Sequence, residues 1–150
     1  MVSRQPTLLN MDFDDDAVVP WTVVRASHAL SRVFTAELAA VGLKPHLFGI
    51  LATLHRNPGM SSADLARQVR VTPQSMGSLL RGLVADGLVE HPVPRRGQPL
   101  SISLTPAGHE LLGRAWPVIA RMNRPAALGL TEAEAAQLNA LLHRVLAATD

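Results

Sequence analysis

The sequence predicts a mainly α-helical fold with one small β-hairpin, and three observations support this prediction. Apolar residues recur at intervals of three and four residues along most of the chain, as they do in helices that bury one face. A single stretch, "LSISL" at residues 100–104, alternates apolar and polar residues like a half-buried strand. Glycine and proline residues lie between these segments, where helices end.

The composition excludes several classes of protein. Apolar residues make up 47% of the 150 residues, too many for a disordered chain, and no apolar run approaches the ~20 residues that span a bilayer. Cysteine is absent and the N-terminus is acidic rather than signal-like, which predicts a cytoplasmic protein without a membrane partner. Seven basic and three acidic residues give residues 44–96 a net charge of +4, which favours a polyanionic partner.

The first three helices are predicted to follow residues 1–17, which show no sustained periodicity and are expected to form a flexible N-terminal arm. The first helix is expected at about residues 18–40, and the second begins near Pro45. In "SSADLARQV", Ser61 is the expected N-cap of the third helix. Asp64, three residues later, completes a capping-box pattern.

The fourth predicted helix has two unlike faces. It begins at Thr72, a good N-cap, with Pro73 at the first helical position, which proline prefers. Its apolar face carries Met76, Leu79, Leu80 and Leu83, and its polar face carries Gln74, Ser75, Ser78 and Arg81. The polar face lacks the Glu and Lys of an ordinary surface helix, and two internal glycines each cost about 0.8–1 kcal/mol relative to alanine. Something other than helix stability therefore shapes this face.

A hairpin and two more helices are predicted to complete the chain. The turn "RRGQP" at residues 95–99 forms the basic tip of the hairpin, and "LSISL" forms its second strand. "TP" then begins the fifth helix, in which Trp116 is expected in the core and Pro117 is expected to produce a kink. A capping box of Thr131 and Glu134 begins the sixth helix.

This order of elements is that of a winged helix-turn-helix at residues 45–104, with helical regions at 18–44 and 105–150 on either side. In that geometry the second helix of the motif lies in the major groove of DNA. Short polar side chains let the helix backbone approach the base edges, whereas acidic side chains would be repelled by the phosphates. The flanking helices carry apolar stripes, which predicts that a second copy of the chain buries them and that these helices form a dimerisation region.

Three quoted segments occur in a specific order: "GLKPHLFGIL" (42–51), "SSADLARQVRVTPQSMGSLLRGLVADGLVEH" (61–91) and "LSISLTPAGHELL" (100–112). With them the chain resembles the MarR family of bacterial transcription regulators, over about residues 18–148. The resemblance implies a homodimer that interlocks the first, fifth and sixth helices of both chains. It also implies a ligand-responsive repressor that binds a pseudopalindromic double-stranded DNA operator.

The expected DNA contacts come from the third and fourth helices and the hairpin tip. They are Ser61, Ser62, Thr72, Pro73, Gln74, Ser75, Ser78, Arg81, Arg95, Arg96 and Gln98. Helix capping explains Ser61 equally well, and a solvated surface is the alternative for the fourth helix. The family's wing often carries Asp-x-Arg, where this chain has Arg96, Gly97 and Gln98, so the usual ion pair of the wing cannot form.

In this family a crevice beside the dimer helices often accepts small aromatic acids, which implies a small aromatic or phenolic effector. The candidate effector-binding residues are Trp21, Arg25, His28 and His46. Trp21 would supply a stacking face and Arg25 a carboxylate partner. The alternative is that Trp21 packs in the dimer and Arg25 forms a surface ion pair.

Two other functions would each need features that the sequence lacks. A winged-helix module that contacts only protein would need an exposed leucine-rich face on the fourth helix, but the spacing turns those leucines inward. A small all-helical enzyme would need a nucleophile–base pair, a phosphate loop or metal ligands. The sequence shows none of these, and its six histidines have no metal-ligand spacing, so we predict no catalytic residue, cofactor or metal site.

Overall fold

The computed structural model describes residues 14–91 and 101–149, and the predicted helices and hairpin are confirmed. Within these ranges the α-helices are α1 Val19–Ala39, α2 Pro45–Arg56, α3 Ser62–Gln68, α4 Pro73–Ala85, α5 Pro106–Met122 and α6 Glu132–Ala148. The strands are β1 Val89–Glu90 and β2 Ser103–Leu104, and short 3-10 turns lie at Asp15–Ala17 and Pro125–Leu128. The Cα positions group into two compact units, one ending at Val33 and one beginning at Phe34.

The predicted N-caps begin α3 and α4. The Ser61 hydroxyl accepts the Asp64 N–H at 3.1 Å, and the Thr72 hydroxyl accepts the Ser75 N–H at 3.1 Å. The Asp64 carboxylate accepts from the Ser61 hydroxyl at 2.6 Å instead of from the Ser61 N–H. Only the first half of the predicted capping box therefore forms at α3. Both helices of the motif therefore begin where the sequence placed them.

The capping box predicted for α6 forms completely. The Thr131 N–H donates to Glu134 Oε2 at 2.8 Å, and the Glu134 N–H donates to Thr131 Oγ1 at 3.3 Å. The hydrogen bond from the Thr131 backbone, followed by that from its hydroxyl, holds the pKa of the Glu134 carboxyl below its ordinary value. The capping hydrogen bonds to the Glu134 carboxylate therefore stabilise the fold above the ordinary glutamate pKa, and this stabilisation is lost as the pH falls through the lowered pKa.

One hydrophobic core joins α2, α3, α4, the hairpin and α5. Its largest fully buried side chains are Leu38, Ile50, Leu51, Leu54, Leu65, Met76, Leu80, Leu83, Ile102 and Leu112. Burial of each such side chain stabilises the fold by about 1.5–3 kcal/mol relative to leaving it exposed. The apolar stripes of the second, third and fourth helices thus face inward, as predicted.

The base of the hairpin is held against the loop before α3. Val89 pairs with Leu104 and Glu90 with Ser103 in an antiparallel register. Ile102, directly before β2, pairs with Met60, and the Ile102 N–H donates to the Met60 carbonyl at 3.0 Å. The hairpin base is therefore fixed to the helix-turn-helix. The predicted tip, with Arg95, Arg96 and Gln98, lies outside the described residues.

The prediction for Trp116 was wrong. Trp116 is 41% exposed, and its ring meets Phe48 edge-on with a centroid distance of 5.5 Å. The inward face of α5 is already filled by Ala115 and its neighbours one turn away, and the next residue along a helix points about 100° away from that face. Pro117 lies inside α5 without ending it, and the predicted kink stays a prediction.

Most of the exposed large apolar side chains lie on two helices, α1 and α6. No residue of α6 is buried, and its four large apolar exposed side chains, Leu138, Leu141, Val145 and Leu146, are each 42–45% exposed. In α1 the exposed large apolar side chains are Val19, Trp21, Val24, Leu30 and Val33. Among the described helices, none combines the length and the apolar character that a bilayer crossing requires.

Candidate nucleic-acid interface

The polar face of α4 is open along its whole length. Gln74, Ser75, Ser78 and Arg81 are all exposed, as are Thr72 and Pro73 at the N-terminal end of the helix. The opposite face is anchored in the core by Met76, Leu80 and Leu83. The core contacts therefore hold α4 in place while its predicted DNA-contact residues remain accessible.

The two glycines inside α4 are not required by the protein's own packing. A side chain at Gly82 would meet nothing within 4 Å, and one at Gly77 would come no closer than 3.7 Å to Arg81 Nη1. Alanine would fit at both positions and favour the helix by about 0.8–1 kcal/mol each. The sequence forgoes this stability on a surface where an external partner could approach the backbone closely.

The turn between α3 and α4 contains a residue that the sequence analysis missed. Arg70 has a φ of +57°, and among the described residues it is the one non-glycine residue with a positive φ. Its Nη2 donates to the Leu146 carbonyl in the last turn of α6 at 2.9 Å. The turn is thus connected to the end of a helix that lies more than 70 residues later in the chain, a contact that sequence periodicity cannot reveal.

Two predicted DNA-contact residues from different helices line one groove. Ser62 at the start of α3 and Arg81 on α4 line a cavity of about 390 Å³, together with Gly77 and His91. The groove brings the hairpin residue His91 beside the polar face of α4, and the sequence analysis did not select it. Ser61 lies half-buried beside this region, and its hydroxyl is engaged in the cap with Asp64.

A compact joint fixes the end of α4 to the start of α5. The Thr105 hydroxyl donates to the Gly87 carbonyl at 2.6 Å, and the Thr105 N–H donates to the Leu88 carbonyl at 3.1 Å. Gly87 has a φ of +70°, the left-handed conformation predicted for the helix end. Gly108 packs so closely on this joint that a Cβ there would lie 2.1 Å from the Leu88 oxygen. The orientation of α4 is therefore coupled to that of α5.

The four effector candidates lie in the two different units. In the first unit, Trp21 is 48% exposed, His28 is exposed, and Arg25 Nη1 lies 2.9 Å from Asp16 Oδ1 in an ion pair. This ion pair is the contact that the alternative interpretation of Arg25 predicted.

In the second unit, His46 lines a cavity of about 290 Å³ between α2, α3 and α4. Phe48 and Leu79 are among its apolar walls, and Arg56 and Gln68 supply further polar groups. Such a cavity, mostly apolar with a few polar groups, suits a small organic ligand. The sequence analysis missed Arg56, which lies ten residues from His46 in the same helix.

The chain is similar to known transcription regulators. A model of the MarR family matches residues 41–98. The HTH-type transcriptional repressor Rv2887 of Mycobacterium tuberculosis is 32% identical over 136 residues, which cover 90% of this chain and 98% of the repressor. A repressor of Mycobacterium bovis, Mb2911, matches over the same length with the same identity.

Solved structures of similar proteins share the fold. The Mycobacterium tuberculosis MarR family protein Rv2887 in complex with salicylic acid aligns with a TM-score of 0.69 at 32% identity, covering 89% of this chain and 99% of that one. The complex of Rv2887 with DNA aligns with a TM-score of 0.69 at 32% identity, covering 87% and 98%. The repressor CouR bound to p-coumaroyl-CoA is 23% identical with a TM-score of 0.80, covering 92% and 97%, and supports the fold alone.

Proposed function

The chain belongs to the MarR family of transcription regulators, and from this premise we propose that it is a homodimeric repressor of transcription that a small aromatic or phenolic acid releases from DNA. The observation that carries the proposal is the open polar face of α4 above a buried apolar face. The similar repressor Rv2887 has been solved with DNA and with salicylic acid. In this chain the exposed polar face of α4 would suit DNA, and the cavity lined by His46 would suit a small aromatic acid.

Gln74 and Arg81 of α4 would contact base edges in the major groove, because amide and guanidinium groups form bidentate hydrogen bonds there. Ser75 and Ser78 would allow the close approach. Thr72 and Pro73 would place the positive end of the α4 dipole toward a phosphate. Further phosphate contacts would come from Ser61 and Ser62 and from Arg95, Arg96 and Gln98 of the wing.

The exposure of apolar side chains suggests which regions bind DNA and which form the dimer. We assign residues 45–104 to DNA binding and residues 18–44 and 105–150 to dimerisation, because most of the exposed large apolar side chains lie on α1 and α6. Residues 1–17 are assigned to an N-terminal arm. A symmetric dimer presents two α4 helices to two half-sites about one helical turn apart, which is why the operator would be pseudopalindromic.

The family assignment weighs against the two other functions. The similar proteins are transcriptional repressors and not enzymes. A module that contacts only protein would expose the leucines of α4, but Leu80 and Leu83 are buried and Leu79 is half-buried. We place the repressor in the cytoplasm, where a bacterial operator would be found.

A gel-shift titration at 150 mM salt tests the DNA contacts. We expect the wild-type chain to prefer the duplex that flanks its own gene over a random duplex. Arg81→Ala should weaken this binding by about 1–3 kcal/mol, roughly 5- to 150-fold, because a contact to a base edge is lost. Arg124→Ala removes the same charge from an exposed position after α5 and should bind normally. Equal affinity for both duplexes would contradict the proposal.

The effector is proposed to bind in the cavity lined by His46 and Arg56, with the Arg56 guanidinium pairing with its carboxylate. A charged hydrogen bond of this kind contributes about 1.5–3 kcal/mol. In calorimetric titrations with salicylate, Arg56→Gln should therefore weaken binding by about 10- to 150-fold, and His46→Ala should also weaken it. Arg25→Gln tests the first unit in the same way. A loss confined to Arg25→Gln would move the effector site to Trp21, Arg25 and His28.

A further inference from the structure

Two histidines that the proposed function does not use lie side by side on the surface of the second unit. His55 lies in the last turn of α2 and His109 in the first turns of α5, 54 residues later. Their Nδ1 atoms are 3.4 Å apart. Their ring centroids are 5.4 Å apart, and the ring planes are inclined by 74°. Both side chains are exposed to solvent.

The separation of the two nitrogens fits a shared metal ion better than a strong hydrogen bond. Hydrogen bonds between such groups are usually about 2.7–3.2 Å long, so 3.4 Å is long for one. Two imidazole nitrogens bound to one tetrahedral Zn²⁺ at about 2.0–2.1 Å would lie about 3.3–3.4 Å apart. The rings are inclined rather than stacked, and a metal ion bound between the two Nδ1 atoms would replace the hydrogen bond that they can share.

The backbone holds the two histidines in place while their rings remain adjustable. Leu54, beside His55, is 1% exposed, and Gly108, beside His109, is buried on the Leu88 carbonyl. The His109 N–H also donates to the Thr105 carbonyl at 3.0 Å within α5. A metal ion would therefore meet two ligands whose backbones are fixed and whose exposed rings can rotate.

The two imidazole ligands indicate which kind of ion would bind. Imidazole ligands suit Zn²⁺, Cu²⁺ and Ni²⁺, whereas Mg²⁺ and Ca²⁺ prefer oxygen. Glu110, next to His109, is paired with Arg114 at 2.8 Å. Among the described residues no group of three or more His, Cys, Asp or Glu side chains could hold a metal ion. Water would complete the coordination shell.

We propose that His55 and His109 form a two-histidine site for a divalent transition-metal ion, zinc in the first place, that links the end of α2 to the start of α5. A bound ion adds a link between two helices that are distant in sequence, so it stabilises the folded chain by mass action. The site does not depend on DNA or effector binding.

Thermal unfolding and calorimetry with ZnCl₂ and tag-free protein test the site. Wild-type protein and His143→Ala, which removes an exposed histidine from α6, should each bind one Zn²⁺ per chain. At ten times the dissociation constant their melting temperature should rise by about 3–6 °C. His55→Ala and His109→Ala should each lose at least tenfold in affinity and most of this shift.

A second measurement needs no substitution at the site. Zn²⁺ should protect His55 and His109 of the wild-type chain from diethyl pyrocarbonate, as read by peptide mass spectrometry, while His28 and His143 remain reactive. Unchanged modification of both histidines with Zn²⁺, or full zinc affinity in either alanine variant, would overturn the proposal. Absence of one-to-one binding below 1 mM Zn²⁺ would do the same and leave the pair as a plain hydrogen bond.

Discussion

Replacing Gly108 by alanine is expected to lower the free energy of unfolding by about 2–3 kcal/mol, because overpacking in a close-packed site costs about this much. The added Cβ would lie 2.1 Å from the Leu88 oxygen and 3.1 Å from the Leu88 carbonyl carbon. The Leu88 carbonyl cannot move away freely, since it accepts the Thr105 N–H at 3.1 Å. The melting temperature should fall by about 4–12 °C.

Gly113 on the same helix provides the matched control. A side chain there would meet nothing within 4 Å, so Gly113→Ala should gain helix stability of up to about 1 kcal/mol. Both variants are compared with wild type by chemical unfolding at one protein concentration, because stability depends on concentration if the chain dimerises. Wild-type stability of Gly108→Ala, or an equal loss in Gly113→Ala, would contradict the close packing at the joint.

The joint at Gly108 also connects stability to DNA binding. Relief of the clash would require the Gly87–Leu88 backbone to shift away from α5, and this backbone directly follows α4. We therefore expect any folded Gly108→Ala protein to bind operator DNA more weakly than its loss of stability alone explains. The Gly113→Ala protein should bind DNA as wild type does.

The parts of the fold that depend on local chemistry could be predicted from the sequence. Thr72 and Thr131 were placed correctly as N-caps because the capping hydrogen bond joins residues only three apart. The inward positions of Leu80 and Leu83 followed from helical periodicity. These interactions are encoded within a few residues, so no knowledge of the tertiary structure was needed.

The contacts that cross the fold could not be predicted in this way. The pairing of His55 with His109, and of the Arg70 side chain with α6, depends on how helices pack and leaves no pattern in the sequence. Trp116 was misplaced for the same reason, since a large apolar residue faces the core only if the helix turns it there. Periodicity shows that a helix has an apolar side but not which neighbour fills it.

For the candidate site, sequence reasoning identified the exposed face of α4 but not its surroundings. Short polar residues opposite a leucine stripe were sufficient to select Gln74 and Arg81, which the structure leaves exposed. His91 lines the cavity beside this face, and Arg56 lines the cavity between α2, α3 and α4, yet each lies on an element whose direction only the fold determines. The calorimetric titration of Arg56→Gln tests the role proposed for Arg56.

Glutamates placed on the apolar face of α6 are expected to convert the protein to monomers and to abolish high-affinity DNA binding. The double variant Leu141→Glu/Val145→Glu places two carboxylates one turn apart where we propose that a second chain packs. Removing a carboxylate from water without a partner costs several kcal/mol, so the interface should not close. The solution mass should fall to that of one 16.1 kDa chain, as measured by light scattering.

Loss of the dimer should affect DNA binding without any change in α4. Linking two DNA-binding units raises the affinity for a two-half-site operator by about 10²- to 10⁴-fold through effective concentration. The double variant should therefore bind the full operator at least 100-fold more weakly, and about as weakly as wild type binds a single half-site. A variant that stays dimeric would place the interface elsewhere.

The opposite side of α6 supplies a control of equal charge. Ala140 and Ala147 lie about half a turn away from the centre of the apolar face that Leu138, Leu141, Val145 and Leu146 form, and both are exposed. Ala140→Glu/Ala147→Glu should leave the protein dimeric and able to bind DNA. If this variant also dissociates, general charge repulsion rather than the loss of a defined apolar interface would explain the monomers. A monomeric Leu141→Glu/Val145→Glu protein beside a dimeric Ala140→Glu/Ala147→Glu protein would show that the leucine-rich side of α6 is the surface that the second chain covers.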